Sequence, residues 1–359
     1  GHTGWNMTAL SLKIAGRRNA VSRRHGQVSR EMWKSLWPSL PENEIPITHV
    51  TNGVHLPTWV NQELGSVYDR YLGTDWRDRQ DDEAVWSKVA SIPDEVLWLQ
   101  HSKNKSALLQ LARARARSRW MKEKHDPAQV LAGGALLDHP ALVIGFARRF
   151  AGYKRATLIL SDIPRLKKML FDPWRPVQLV FAGKAHPADD GGKALIQQVY
   201  RLAKDPAFGG RISFVEDYDM HVARYLVQGV DLWLNNPLAP LEACGTSGEK
   251  AGMNGVPNFS VLDGWWEEGF NGANGWAIGQ AGGRGAGPEA DAADAEDIYG
   301  TLEKQIVPLY YDRDEHGLPR GWVKAMKESI RSVAPKYSAD RMVKDYCRQL
   351  YCPKTGVPA

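Results

Sequence analysis

The stretch EACGTSGEKAGMNGV, residues 242–256, sets one lysine, Lys250, among two glutamates, Thr246, Ser247 and four glycines. Glycine in regular structure costs backbone entropy, so the cluster implies a chain that turns sharply or lets something approach closely. A lysine amine in such a setting can react with a carbonyl if desolvation or a cationic neighbour keeps it neutral. On spacing alone, an exposed helix lysine is the commoner case. Gly245, Thr246, Ser247 and Gly248 would offer N–H and hydroxyl donors to a phosphate just before a helix. The loop is not of the Walker A type GxxxxGKS/T, because Lys250 follows Glu249 and precedes Ala251. Glu242, after PLAPL, has two open roles: hydrogen bonding to sugar hydroxyls, or capping the helix that follows.

A second set of chemistry-bearing residues is Arg148, Arg149, Lys154 and Arg155, four cations within eight positions. At the start of a helix they would form an anion site, since free N–H groups and partial positive charge gather there. Guanidinium groups hold phosphate bidentately. The competing reading is a solvated basic face paired with acidic neighbours. WVNQELG, GWWEEG and NGANGW place tryptophans where they could stack on sugars, although most tryptophans serve cores or interfaces. The ten histidines include no HExxH, and no metal site is expected. Arg113, Arg115, Arg117 and Arg119 alternate along a helix and splay over a wide arc, as a solvated face does.

The elements that must position these groups are legible as short apolar runs. ALVIGF, VQLVFAG, RISFVED, VDLWLNN and NFSVLD alternate with helical segments such as YKRATLILSDIPRLKKML and DDGGKALIQQVYRLAKD. The alternation predicts an α/β fold with a parallel sheet covered on both faces, doubly wound through right-handed crossovers. ARRFAGYKR, AGKAHPADD, EDYDM and NNPLAPLEACGTSGEK each follow a strand, at the carboxyl edge where such sheets bind ligands. Upstream, TALSLKIAG reads as a helix. ITHVTNGVHLPTW reads as a strand-turn-strand or junction, with Asn52–Gly53 as a turn. Residues 84–124 read as helical, with Leu108, Ala112, Ala116 and Trp120 at every fourth position. QAGGRGAGPEADAADAED (280–297) reads as a mobile surface loop, and SADRMVKDYCRQLY (338–351) as a helix. Internal repeats are absent.

The 359 residues allow about two domains. A net charge of +5 suits an anionic small ligand and excludes a dedicated nucleic-acid binder. Cys244, Cys347 and Cys352 form no even framework, which points to a reducing, cytoplasmic compartment. No apolar run approaches the ~18 residues of a membrane span, and no signal peptide opens the chain. The opening GHTGWNMTALSLKIAG, without an initiator Met, reads as though cut from something longer.

EACGTSGEKAGMNG resembles the pyridoxal-phosphate lysine motif of the α-glucan phosphorylases (glycogen, starch and maltodextrin phosphorylases), in which Glu-Ala-small-Gly-Thr precedes the lysine by a fixed distance. RRFAGYKR is similar to their Lys-Arg-x-x-x-Tyr-Lys-Arg phosphate segment. NAVSRRHGQVSREMW and THVTNGVHLPTW resemble the stretch leading out of their first domain, and SADRMVKDYCRQLY their terminal helix, which crosses back to it. VLDGWWEEG and NGWAIG are similar to the shorter bacterial branch. The resemblance covers nearly the whole chain in motif order.

This resemblance implies a GT-B architecture of two Rossmann-like domains facing a cleft. Residues 1–58 would be the end of the first domain, 59–335 the second, cofactor-binding domain, and 336–359 a return helix and tail. It further implies pyridoxal 5′-phosphate-dependent phosphorolysis of an α-1,4-glucan by inorganic phosphate, giving α-glucose 1-phosphate with retention. Lys250 would carry the cofactor. Thr246, Ser247 and Arg148, where many relatives have lysine, would hold its phosphate. Arg149 and Lys154 would bind inorganic phosphate. Glu242, the backbone of Ala243, Cys244 and Gly245, and Tyr153 would contact glucose. Two positions depart from the animal and plant members: Asp219 stands for an arginine in EDYDM, and Ala151 for a histidine. With most of a first domain missing, the chain alone is expected to be poorly active. A nucleotide-sugar-dependent GT-B glucan synthase and a non-catalytic glucan-binding fragment are the other readings. Neither a nucleic acid nor a membrane is an expected partner, and a homo-oligomer is left open.

Overall fold

The computed structural model describes residues 5–123 and 126–352. Among them, six parallel strands form the main sheet: β1 (Leu142–Ala147), β2 (Val177–Ala182), β3 (Ile212–Val215), β4 (Leu232–Asn235), β5 (Asn258–Val261) and β6 (Gly275–Ile278). Their order is β3-β2-β1-β4-β5-β6. Every residue of β1 to β5 is buried, which is why these strands read as unbroken apolar runs. β6 lies at the edge, is partly exposed, and begins with a glycine, so its four residues carry no such run.

Alternation along each strand feeds two cores. Leu142, Ile144 and Phe146 of β1 face one side of the sheet, and Val143 and Ala147 the other. The second side is covered by α1 (Asp94–Glu123), α3 (Met220–Gly229) and α4 (Thr246–Gly252). The first is covered by α2 (Asp190–Lys204), α5 (Pro288–Thr301) and α6 (Arg320–Val333). The expected mixed α/β arrangement, with a parallel sheet clad on both faces, is present. In α1 the every-fourth repeat holds for three positions, since Leu108, Ala112 and Ala116 are buried while Trp120 is 55% exposed. Arg113, Arg115 and Arg119 of the same helix are spent on Leu137 O, Glu216 O and the Glu216 and Asp217 carboxylates.

Two expectations about local structure need correction, and a third, left open between two readings, is resolved. Residues 288–297 belong to α5 and not to a loop: Pro288 starts the helix, and Ala295 and Ile298 pack into the core. Within YKRATLILSDIPRLKKML only Ile163–Leu170 is α-helical, because Gly152–Lys154 and Leu158–Leu160 are single 3-10 turns. ITHVTNGVHLPTW is a junction with a two-residue strand, Thr48–His49, paired in parallel with Asn19–Ala20. Gly53 is there for close approach: a Cβ would fall on the backbone carbonyl of Ser338.

That approach docks the last helix, α7 (Ala339–Tyr346), on the junction. Val54 pairs with Ser338, Arg341 donates to Thr51 O (2.8 Å) and Asn52 O (3.1 Å), and Lys344 meets Asp81 at 2.7 Å. The rest of the expected tail, 353–359, lies outside the described residues. No helix among the described residues is long and apolar enough to cross a membrane.

Because the obstacle at Gly53 is backbone, Gly53→Ala is expected to destabilise the chain by about 1–3 kcal/mol. Gly16→Ala, where a Cβ meets nothing within 4 Å, should stay within about 0.5 kcal/mol of wild type. Urea unfolding of both variants checks the contrast.

Candidate functional site

β1 and β4 are paired over two rungs only, Ile144 with Leu232 and Gly145 with Trp233, whereas β1 pairs with β2 over six. Strand order also reverses direction here, so beyond the second rung the two chains part and open a crevice at the carboxyl edge. Side chains bridge the gap. Arg148, just past β1, donates to Asn235 Oδ1 at the end of β4 and to Glu242 Oε2 at 2.6 Å. Lys154 donates to the same Oε2. The three charged side chains are 9%, 7% and 8% exposed. The Glu242 N–H donates to Asp263 Oδ2 at 2.8 Å, which fixes the backbone beneath the carboxylate. Glu242 is thus an ion-pair partner and caps nothing. The residue preceding α4 is Gly245, left-handed at φ 91°, and no side chain caps that end.

The basic set does not act as one group at a helix start. Arg148 and Arg149 precede the 3-10 turn Gly152–Lys154, Lys154 ends it, and Arg155 leaves it at φ 48°. Arg155 is turned to Asn236 O (3.0 Å), Pro237 O (2.9 Å), Asp291 (2.8 Å) and Asp294 (2.7 Å), tying α5 to the β4 loop. Arg149 is exposed. Arg148 and Lys154 alone converge on Glu242, with Lys154 lying 4.5 Å from the centre of the Tyr153 ring.

Lys250 is half-buried in α4, its ammonium 3.8 Å from the centroid of the Trp59 ring. Burial lowers its proton affinity, and Glu249 pulls the other way. That opposing pull is weak near neutrality, because Glu249 is itself fully buried and its carboxyl is pushed up to about 8. Glu249 Oε1 accepts from the Cys244 thiol at 3.4 Å, and Oε2 has no partner. Burial pushes the Cys244 thiol up as well, so this side chain belongs to the interior. Gly248 admits no Cβ, which would strike Asn258 Oδ1 and the Trp265 ring. Close packing therefore explains part of the glycine cluster, and a left-handed turn at Gly245 another part.

The remaining expected residues are distributed around this turn. Ala243 O accepts from Ser22 Oγ at 2.6 Å, and Cys244 O from Trp265 N at 2.9 Å. Thr246 opens α4, while the Ser247 hydroxyl accepts from Trp233 Nε1 at 3.3 Å. Asp219 caps α3 by accepting from Val222 N at 2.8 Å, which accounts for an acid at that position. Ala151 is extended, just before the 3-10 turn. No hydrogen bond or ion pair among the described residues joins Arg149 or Lys250 to Glu242. Sequence reading missed Asn235, Asp263, Glu249 and Ser22, and it gave Trp59 of WVNQELG a place against a sugar rather than beneath Lys250. Asp263, pushed up to about 6 by burial, lies within the VLDGWW motif, but nothing local marks its reach to Glu242.

Glu249 ties stability to pH. Its folded carboxyl holds a proton between 4.5 and about 8 that the unfolded chain gives up. The stability present below pH 4.5 is therefore lost as pH rises through about 8, a change on the order of 5 kcal/mol. Glu249→Gln is expected to flatten this dependence and to exceed wild type in urea midpoint at pH 9. Parallel midpoint curves from pH 5 to 9 would contradict it.

Residues 2–266 match the family model of the carbohydrate phosphorylases. A glycogen phosphorylase of Aquifex aeolicus is 53% identical over 97% of this chain and 49% of its own length. A maltodextrin phosphorylase of Thermococcus litoralis is 47% identical over 97% of this chain and 41% of its own. A glycogen phosphorylase of Mycobacterium bovis is 44% identical over 97% of this chain and 40% of its own. The chain thus spans half or less of the length of these curated relatives. At this identity, sustained along almost all of its residues, the chain belongs to the carbohydrate phosphorylase family.

Proposed function

We propose that the chain is the phosphate- and cofactor-binding part of an α-1,4-glucan phosphorylase, with pyridoxal 5′-phosphate as cofactor, acting in the cytoplasm. The observation that carries this reading is the buried, net-positive group of Arg148, Lys154 and Glu242 at the point where β1 and β4 diverge. Arg148 Nε is buried there without a partner, and beside two cations that share one carboxylate this spare donor favours an anionic ligand. The proposed whole has GT-B architecture, with 1–58 closing its first domain, 59–335 forming the second and 336–359 returning to the first.

The residues present fit the cofactor. The leading amides of α4, at Thr246 and Ser247, have no side-chain cap and suit a phosphate. Lys250 has the lowered proton affinity that covalent attachment to an aldehyde requires, and the Trp59 face beneath it suits a planar ring. When bound, the cofactor supplies a phosphate that titrates near neutrality and can exchange a proton with the substrate phosphate.

The chain's own residues do the rest. Arg148 offsets the charge of the cofactor phosphate, and Arg149 and Lys154 hold inorganic phosphate against its repulsion. Glu242 accepts from sugar hydroxyls, and the backbone of Ala243, Cys244 and Gly245 with Tyr153 seats the ring. An anion held on the same face as the departing glucan stabilises developing positive charge at the anomeric carbon, which favours retention. Water exclusion and orientation, which can contribute ~7–11 kcal/mol, need a second wall, so the 359 residues alone are expected to release little glucose 1-phosphate from glycogen.

Incubation with pyridoxal 5′-phosphate followed by borohydride is expected to leave a fluorescent adduct on the peptide containing Lys250 and none in Lys250→Ala. An adduct spread over exposed lysines, with Lys250 unlabelled, would refute the reading. A nucleotide-sugar synthase of the same fold would also leave Lys250 bare.

A further inference from the structure

Glu242 is assigned to the sugar and the two cations to phosphate groups, Arg148 to the cofactor's and Lys154 to the substrate's, yet they hold one another. Arg148 Nη2 and Lys154 Nζ both donate to Oε2, and no hydrogen bond among the described residues reaches Oε1. A carboxylate so engaged cannot accept from sugar hydroxyls at full strength. Cations so engaged cannot take a phosphate at full strength either. The backbone of the loop is fixed, because Glu242 N–H is held by Asp263 at 2.8 Å, Leu241 N–H by Leu238 O at 2.9 Å, and Cys244 O by Trp265 N–H at 2.9 Å. The side chain of Glu242 is the part left to move.

We infer that Glu242 is a resident anion that phosphate displaces, so that phosphate binding at Arg148 and Lys154 releases the carboxylate toward the sugar. The inference rests on the phosphorylase reading of this site. Separating a buried ion pair without replacement is strongly unfavourable. A phosphate dianion removes that penalty, because it balances both cations alone and repels the carboxylate it replaces. Arg148 Nε, buried and unpaired, gains a partner in the exchange. By linkage the coupling is reciprocal: whatever draws Glu242 to a sugar hydroxyl frees the cations for phosphate by the same factor. The empty site thereby keeps its cations charge-compensated, and an arriving phosphate switches on the sugar contact.

The test is calorimetric titration of inorganic phosphate into the 359-residue chain and its Glu242→Gln variant. Each is prepared in two forms, with pyridoxal or with pyridoxal 5′-phosphate reduced onto Lys250. Removing the resident charge is expected to tighten phosphate binding at least about fivefold. Tightening in the pyridoxal form alone assigns the displacement to the cofactor's phosphate, and tightening in both forms assigns it to the substrate's. Either result supports the exchange. Equal or weaker binding by a folded Glu242→Gln variant in both forms overturns it and leaves the anion site standing. Phosphate that binds neither chain overturns the inference and the phosphorylase reading together. Far-UV circular dichroism reports folding, and Glu242→Asp, which withdraws the carboxylate by one methylene, carries the same expectations should the Gln variant be unfolded.

Discussion

The seam between β1 and β4 is closed at each end by a buried carboxylate, and the difference between the two ends separates scaffold from site. At the amino end Asp231 accepts from Lys105 Nζ at 2.5 Å, His101 Nε2 at 2.8 Å and the Val143 amide at 2.8 Å. Lys105 completes its own set with Ala141 O at 2.6 Å and Tyr310 OH at 3.0 Å. Both Asp231 oxygens and the lysine are spent, so this end locks the register of two strands that share only two rungs. At the carboxyl end one oxygen of Glu242 takes both cations, and a guanidinium nitrogen is left over. Low dielectric makes an unmet group costly. At the amino end one lysine balances one aspartate, whereas at the carboxyl end two cations share one carboxylate, and in the proposed reading the ligand lies at the second.

The lead segment does more than precede the sheet. Ser22 caps the helix Arg23–Met32 and also donates to Ala243 O, while Thr51 Oγ1 and the Arg23 amide converge on Glu268 Oε1. α7 then pins that segment from behind through Arg341. The turn bearing Glu242 to Gly245 is thus held between Ser22 on one side and Asp263 to Trp265 on the other. Its backbone is positioned by residues more than two hundred positions upstream and about twenty downstream.

Much of the fold was legible because burial on both faces leaves a compositional trace. Five strands carried it and β6 did not, since an edge strand of four residues with glycine and a partly exposed centre lacks the pattern. α5 was illegible for the opposite reason. Its Ala/Asp/Gly composition resembles a linker, and what secures it is tertiary: Asp291 and Asp294 meet Arg155, and Ala295 and Ile298 meet the core. Position beyond strand ends brought together two loops whose Arg148, Lys154 and Glu242 do meet. It could not show that a left-handed Arg155 would turn away from its three neighbours, nor that Trp59 would lie under Lys250. Backbone handedness at single residues and contacts across long separations leave no local pattern.

The departure at Asp219 is coherent with this charge arrangement. At the position where the resemblance implies an arginine in the animal and plant members, Asp219 is spent as the cap of α3. Tyr218 beside it is half-buried, which raises its phenol, and the charge of Arg148 pulls that phenol back down. Arg148 thus stands close enough to this turn to act on it. A guanidinium offers donors in several directions where an ammonium offers a point charge. In the proposed reading, an arginine at 148 supplies from β1 what the missing cation would have supplied from the β3 loop. Its three engaged or available directions, to Asn235, to Glu242 and from the unpaired Nε, are the geometric reason a lysine at this position would not do the same work.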